Sequence, residues 1–376
     1  MFITISIILL IYGFFNILLI FYWYLIPVFK ITDFSQASEP RISVIIPVRN
    51  EAANILYLLE DLNLQSLDKK YFEVIVVDDF SEDETFSLLL SFQKTVLYSL
   101  KIISLQERNL ISPKKKAISE AVQVAQGELI VTTDGDCRVK KEWLEVLWKF
   151  YKKKDARLIS GAVTFEQEKT LFEKMQTVEF ASLIGSGAAC LRMGFPNMCN
   201  GANLAYPKTA FLEVGGYQGV DRIASGDDEF LLHKIARKYP GQVFFLKHSQ
   251  NIVSTYAKLN WAEFFNQRKR WSSKWKYYQD KRIKILAFFI FVVNCVLLAS
   301  LGLAVLGFYS FERFLIHLLI KFLIEFTFLG IILAYLDKKK FILYIPLVQL
   351  VYPLYVMFFG LVAQGKSYSW KGRTLK

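Results

Sequence analysis

By hydrophobicity alone, the chain falls into three stretches. Residues 2–26, FITISIILLIYGFFNILLIFYWYLI, carry no charge, and at about 1.5 Å per residue a helix of that length crosses a bilayer. No basic segment precedes the run and no small-residue cleavage site follows it, so a retained anchor is expected over 1–30. Three further apolar runs, 285–309, 314–336 and 341–363, reach the same length, giving a C-terminal membrane region over 283–365. Between 38 and 258 the pattern becomes short apolar runs alternating with helical periodicity. RISVIIPVRN (41–50), FEVIVVDD (72–79), LKIISL (100–105) and ELIVTTDGD (128–136) read as strands with helices between them. Such strands predict an α/β domain with a mostly parallel, Rossmann-like sheet covered on both faces.

Charge refines the picture. The net +12 concentrates at 113–117, 151–157, 267–284, 337–340 and in the tail, 366–376. Basic clusters beside spans reflect topology and attraction to anionic headgroups. No helix-turn-helix, zinc or RNA-binding pattern accompanies them, so nucleic acid is not an expected partner. Lys30, Arg41 and Arg49 follow the first span and place the α/β part in the cytoplasm. One anchor plus three spans would put the tail outside, whereas its charge favours the inside. Pro346 and Pro353 leave open a broken last span. The four cysteines, 137, 190, 199 and 295, form no CxxC pair, so reduced thiols are expected and zinc is not. Cys137 reads as packing, a soft ligand ill suited to a hard cation.

Two acidic pairs, Asp78-Asp79 and Asp134/Asp136, fall at the carboxyl ends of the second and fourth strands, where ligands collect in parallel sheets. Two carboxylates one glycine apart can share a hard divalent cation; taken alone they read equally well as a solvated acidic turn. Their company is more specific. SVIIPVRNEAANI (43–55) and VIVVDDFSEDET (74–85) precede them, and NGANLAYPKTAFLEVGGY (200–217), SGDDEFLLHKI (225–235) and QRKRW (267–271) follow. In this order the chain, over about residues 40–280, resembles the family 2 glycosyltransferases, membrane-bound inverting enzymes with the GT-A fold.

The resemblance implies roles. Asp79, with Asp78 beside it, would meet the nucleotide base; Pro47, Arg49, Glu51 and Lys114 would border the nucleotide sugar. Asp134 and Asp136 would hold Mg²⁺ or Mn²⁺ on its diphosphate. Asp228 would be the base that takes the acceptor proton, flanked by Asp227. Gln267, Arg270 and Trp271, the Q-x-x-R-W, would face diphosphate and acceptor. The implied partners are a UDP-sugar, the membrane, and a lipid or lipid-linked acceptor on the cytoplasmic leaflet; oligomeric state is left open. Aromatic and basic residues interleave over 261–278, which predicts an amphipathic interfacial helix within 259–282. His317, Lys321 and Glu325, at four-residue steps, give one span an ionisable face, either turned inward with Lys321 paired to Glu325 or snorkelling at an end. The tail's Trp370-Lys371-Gly372-Arg373 resembles the ending of ceramide-type and carotenoid-type lipid transferases. A processive polysaccharide synthase is the rival, since Q-x-x-R-W marks those enzymes too. A non-catalytic membrane scaffold is the third possibility.

Overall fold

The structure is a computed structural model that describes residues 2–31, 39, 41–108, 110–274, 277–362, 368–370 and 373–375. Trp275 of the aromatic stretch and Lys371 and Gly372 of the tail motif lie outside these residues. In chain order the helices are α1 (Phe2–Tyr24), α2 (Ile55–Asn63), α3 (Thr85–Gln93), α4 (Pro113–Val124), α5 (Trp143–Lys154), α6 (Leu171–Arg192), α7 (Lys208–Glu213), α8 (Asp227–Lys238), α9 (Trp261–Ser272), α10 (Lys281–Val305), α11 (Phe311–Tyr335) and α12 (Ile345–Val362). The strands are β1 (Ile42–Val48), β2 (Phe72–Asp78), β3 (Ser99–Ser104), β4 (Leu129–Thr132), β5 (Leu158–Gly161), β6 (Val163–Glu166), β7 (Leu204–Pro207), β8 (Val243–Leu246), β9 (Val253–Tyr256), β10 (Tyr368–Trp370) and β11 (Arg373–Leu375). Contacts divide the chain into an α/β unit, Ile26–Gln167 with Cys190–Tyr256 and Ser369–Lys376, and a helical unit, Met1–Leu25 with Glu168–Ala189 and Ala257–Tyr368.

In the α/β unit one sheet runs β3-β2-β1-β4-β7-β5-β8, and β6 pairs with β9 separately. The predicted parallel strands are its first half: β1 lies between β2 and β4, with Val44 opposite Val74 on one side and Val131 on the other. Every residue of β2 and β4 is buried, as expected for strands covered on both faces. Pro47 sits inside β1 without breaking the ladder. It shares the parity of Ile45, whose carbonyl accepts from Thr133 N–H on the β4 side, but lies past the last β4 pair, Ile45 with Thr132. β7 is antiparallel to both β4 and β5, which makes the sheet mixed beyond the four strands legible by pattern. The chain reaches β3 on one side of β1 and returns to β4 on the other. The carboxyl ends of β1 and β4 therefore form a topological switch point, and the DGD turn follows β4 there.

Among the described residues, the helical unit contains four helices long and apolar enough to cross a membrane, near Ile3–Tyr24, Lys281–Val305, Phe311–Tyr335 and Lys339–Val362. Ile5, Leu9, Tyr12, Val293, Leu297, Tyr309 and Phe314 pack together between α1, α10 and α11. The opposite faces are apolar and exposed, Leu10, Phe288 and Leu350 each about two-thirds so, which suits lipid better than water. The last apolar run is not a broken span. A 3₁₀ turn over Lys339–Tyr344 leads into α12, which continues through Pro353. The ionisable face of α11 turns inward, as the pairing reading requires, and snorkelling is excluded. Lys321 Nζ lies 2.7 Å from Glu325 Oε1, and the two residues are 5% and 9% exposed. Tyr12 Oη and Gln349 Nε2 also donate to Glu325, while His317 bonds to Ser6 and Tyr309.

Candidate active site

The first acidic pair is no solvated turn. Asp78 and Asp79 are 5% and 3% exposed. Two loops zip together to hold them. Glu51 N–H donates to Thr85 Oγ1, Ala52 N–H to Asp83, and Glu82 N–H to Asn50 Oδ1. Arg49 is built into the same turn: its Nη1 donates to the carbonyls of Asp79 and Phe80 at 2.7 and 2.6 Å, and Nη2 reaches Glu82. Those bonds stabilise Phe80 at a positive φ of 50°. Arg49 thus shapes the acidic turn. Asp78 Oδ2 accepts from Ser81 N–H, while Oδ1 is buried with no hydrogen-bond partner among the described residues. An acceptor left this way is costly unless a ligand donor meets it.

The DGD turn explains its own glycine. A Cβ at Gly135 would lie 2.9 Å from Val48 Cγ1 and 3.1 Å from Glu51 Cγ, so only glycine lets the turn close onto the end of β1. The close fit also brings Glu51 beside the turn. Asp134 Oδ1 accepts from Lys114 Nζ at 2.7 Å, and the same ammonium lies 3.2 Å from Asp227 Oδ2. Lys114 comes from the first turn of α4, which Pro113 opens at a position where no N–H is needed. Burial works against the Lys114 charge, but Asp134, Asp227 and Asp228 outweigh it and raise its pKa well above the ordinary lysine value. One cation therefore joins two motifs nearly a hundred residues apart in sequence.

Asp227 and Asp228 open α8, whose first turn is acidic and whose last turn carries Arg237 and Lys238, both in the sense the helix dipole favours. Asp228 accepts from Gly201 N–H at 3.0 Å through Oδ2 and from Glu229 N–H at 2.8 Å through Oδ1. Gly201 lies within the NGAN motif, and its N–H is a site donor that sequence reasoning missed. The signal was the glycine itself. A Cβ there would come 3.0 Å from Asp227 Oδ2 and 3.4 Å from Lys114 Nζ. Thr132 Oγ1 at the end of β4 fixes this position by donating to Gly201 O at 2.9 Å.

Asp134 and Asp136 are both partly exposed. Among the described residues no group of three or more His, Cys, Asp or Glu side chains could hold a metal ion. The donor set is two hard carboxylates, which fits a divalent cation that completes its shell with oxygens of a substrate. Cys137 is buried, and burial first, then Asp136 and Asp134, push its thiol well above the usual range, so it packs as a neutral thiol.

Gln267, Arg270 and Trp271 belong to α9 in the helical unit. The aromatic stripe there is packed: Phe264 meets Tyr355 and Phe359 of α12, Phe265 meets Phe358 and Phe359, and Trp271 stacks on Phe180 of α6 at 5.8 Å. Trp261 stays 56% exposed. The motif's second residue, Arg268, is the buried one. It pairs with Glu179 of α6, donates to Gln267 Oε1 at 2.9 Å and lies 4.1 Å over the Trp271 ring.

Comparison with known proteins follows the same outline. The description Glycosyl transferase family 2 matches residues 43–214, and Glycosyl transferase family group 2 matches 129–361, more than half of the chain. The chain belongs to the family 2 glycosyltransferases. Among solved structures, the mannosyltransferase PcManGT from Pyrobaculum calidifontis, in complex with GDP-Man and Mn²⁺, aligns with a TM-score of 0.60 over 94% of this chain and 99% of its own, at 19% identity. That likeness is one of fold, and the α/β unit is GT-A. Among curated proteins, the glycosyltransferase AglE of Haloferax volcanii is 35% identical over 106 residues, 28% of this chain and 34% of its own. The poly(ribitol-phosphate) beta-N-acetylglucosaminyltransferase TarS of Staphylococcus aureus is 35% identical over 105 residues, 28% of this chain and 18% of its own. The poly-beta-1,6-N-acetyl-D-glucosamine synthase of Staphylococcus epidermidis is 24% identical over 188 residues, 48% of this chain and 43% of its own. The chain thus spans less than half the length of each of these curated relatives.

Proposed function

We propose that this glycosyltransferase moves a sugar, with inversion, from a UDP-sugar to a lipid or lipid-linked acceptor at the cytoplasmic face of the membrane. The observation that carries the reading is the convergence of three motifs on one point: Lys114 touches Asp134 and Asp227, and Gly201 N–H touches Asp228. In this reading Asp79 and Asp78 receive the nucleotide base beside Pro47, Arg49 and Glu51. Asp134 and Asp136 would hold Mg²⁺ or Mn²⁺, which supplies Lewis-acid charge to the departing diphosphate. Lys114 adds its fixed positive charge on the same side. Asp228, oriented by two backbone N–H donors, takes the proton of the acceptor hydroxyl, and Asp227 holds Lys114 in place. Gln267, Arg270 and Trp271 meet diphosphate and acceptor. The four apolar helices support a membrane-borne acceptor.

A panel of nucleotide sugars incubated with native lipid extract, Mg²⁺ or Mn²⁺ and the full chain tests the proposal, following nucleotide release and the mass of the product. One sugar added to a lipid is the expected result. Long polymer would replace it with the second reading, a processive synthase, which the Staphylococcus epidermidis relative favours. Nucleotide release that is unaffected by Asp228→Asn would remove the base from the scheme.

A further inference from the structure

Next to Lys114 stands a second lysine with a different environment. Adjacent helix positions point about 100° apart, and Lys115 turns away from the acidic cluster into the protein, where it is 2% exposed. Its Nζ donates to three backbone carbonyls, Val220 at 2.8 Å, Ile223 at 2.6 Å and Ser225 at 3.0 Å. These account for all three N–H bonds of the ammonium. The ammonium also lies over the Phe230 ring of α8, with Nζ 4.9 Å from its centroid. Ser112, the residue before α4, donates from Oγ to the carbonyl of Asp221 in the same loop. The clamped segment, 220–225, ends one glycine before Asp227 and Asp228.

We infer that Lys115 is a positioning residue: it fixes the loop that delivers Asp228, so that the first turn of α4 sets both the diphosphate side of the site through Lys114 and the base through Lys115. This rests on the proposed role of Asp228. A chain that left 220–225 to local preference would have no regular ladder to hold it, since the segment belongs to neither a helix nor a strand. Carbonyls withdrawn from water need donors, and here one side chain reaches three, that of Ser225 buried and those of Val220 and Ile223 partly so. Charge-assisted bonds of this kind are roughly twice as strong as neutral ones, so the loop is held at low mobility where the acceptor's proton must be met. The neighbouring lysines of the PKKK run look alike in sequence, and charge alone does not separate Lys115 from the rest of the basic cluster.

The test uses the full chain in detergent, with UDP-N-acetylglucosamine and GDP-mannose as donor probes and nucleotide release as readout. Lys115→Met keeps an unbranched apolar side chain and removes the ammonium with its three donors. The expected result is a fall in kcat of about tenfold to a hundredfold with donor KM within about threefold, because only the base is displaced. Lys115→Arg, which can still donate to carbonyls, should restore most of the loss. In an Asp228→Asn background, Lys115→Met should add less than about a twofold change, since both act through one group. Deuterium exchange over 218–229 should accelerate in Lys115→Met, a readout independent of turnover. Unchanged kcat and exchange, parallel loss of kcat and donor affinity, or full additivity with Asp228→Asn would each overturn the inference. Should Lys115→Met lose its melting transition, Ser112→Ala takes its place, with the same split expected at about threefold and its absence overturning the clamp. An Asp228→Asn chain that turns over at the full rate refutes the base assignment itself, a result distinct from any failure at Lys115.

Discussion

At position 201 a single methyl group would meet Asp227 Oδ2 at 3.0 Å, Lys114 Nζ at 3.4 Å and Asp228 Cβ at 3.5 Å. Those neighbours come from two elements, α4 and α8, and cannot all retreat, so Gly201→Ala should displace the cluster without emptying it. Transfer is expected to fall about tenfold to a hundredfold, since errors of ångström size at the reacting groups cost that much. Nucleotide-sugar affinity and melting temperature should change little; a rate within twofold of wild type, about the scatter of such measurements, would show that the cluster tolerates the shift. At this scale the sequence announced residue types but not partners. The aspartates of VVDD, DGD and GDD were named from their motifs, whereas the Gly201 N–H and the joining role of Lys114 emerge only when the loops meet. Arg49 makes the same point in reverse. A basic residue on a nucleotide-bordering loop looks like a ligand contact, yet its guanidinium bonds the carbonyls of Asp79 and Phe80 in the facing acidic turn.

Among elements, α9 shows what periodicity leaves out. Its aromatic spacing predicts an interfacial helix, and the structure adds the side chains of α6 and α12 against which part of that stripe packs, which pattern could not bring alongside. The helix α6 itself, 22 residues with small side chains over 181–190, gave no sign of its grouping up to Ala189 with the helical unit. The Arg268–Glu179 pair joins α9 to α6, 3% and 8% exposed, with Tyr355 Oη also donating to Glu179. Removing one member of such a pair strands a buried charge, so Arg268→Ala should cost about 3–5 kcal/mol and lower the melting temperature in detergent markedly. Arg268→Lys should recover only part, because a lysine lacks the planar group that reaches Glu179 and Gln267 through separate nitrogens and lies flat on Trp271. Equal stability of Ala and Lys variants would contradict this. In the α/β unit, His248 caps the 3₁₀ turn Ser249–Asn251 by accepting from Gln250 N–H through Nδ1 at 3.1 Å, which requires the neutral ring. Burial lowers its pKa below the ordinary histidine value. A group depressed in the folded state contributes its stability above its unfolded pKa, about 6.5, and loses it as pH falls through the folded value. Wild-type melting temperature should therefore drop on acidification below about pH 6.5 more steeply than that of His248→Asn, whose oxygen can accept the same bond at any of these pH values.

Over the whole molecule, the long apolar helices and the parallel half of the sheet were legible because each is a local pattern, an unbroken apolar run or a strand covered on both faces. The mixed half of the sheet was not, since β7 and β5 are four residues each and depend on partners distant in the chain. The ionisable face of α11 lies between these cases: spacing revealed the face, and only packing shows how unequally its members are supported. Glu325 receives Lys321, Tyr12 Oη and Gln349 Nε2. Among the described contacts, Lys321 has Glu325 and the Tyr12 ring, 5.7 Å away. Replacing Lys321 with methionine thus leaves a carboxylate that still has two donors and can take up a proton. Replacing Glu325 with leucine leaves an ammonium facing one aromatic ring, and an ion in that environment costs several kcal/mol. Glu325→Leu should accordingly reduce yield and melting temperature in detergent much more than Lys321→Met. The double variant should be more stable than Glu325→Leu alone, because it removes the stranded charge and fills the space with apolar groups. Losses of equal size from the two single variants would mean that lipid or water, rather than Tyr12 and Gln349, sustains the exposed partner.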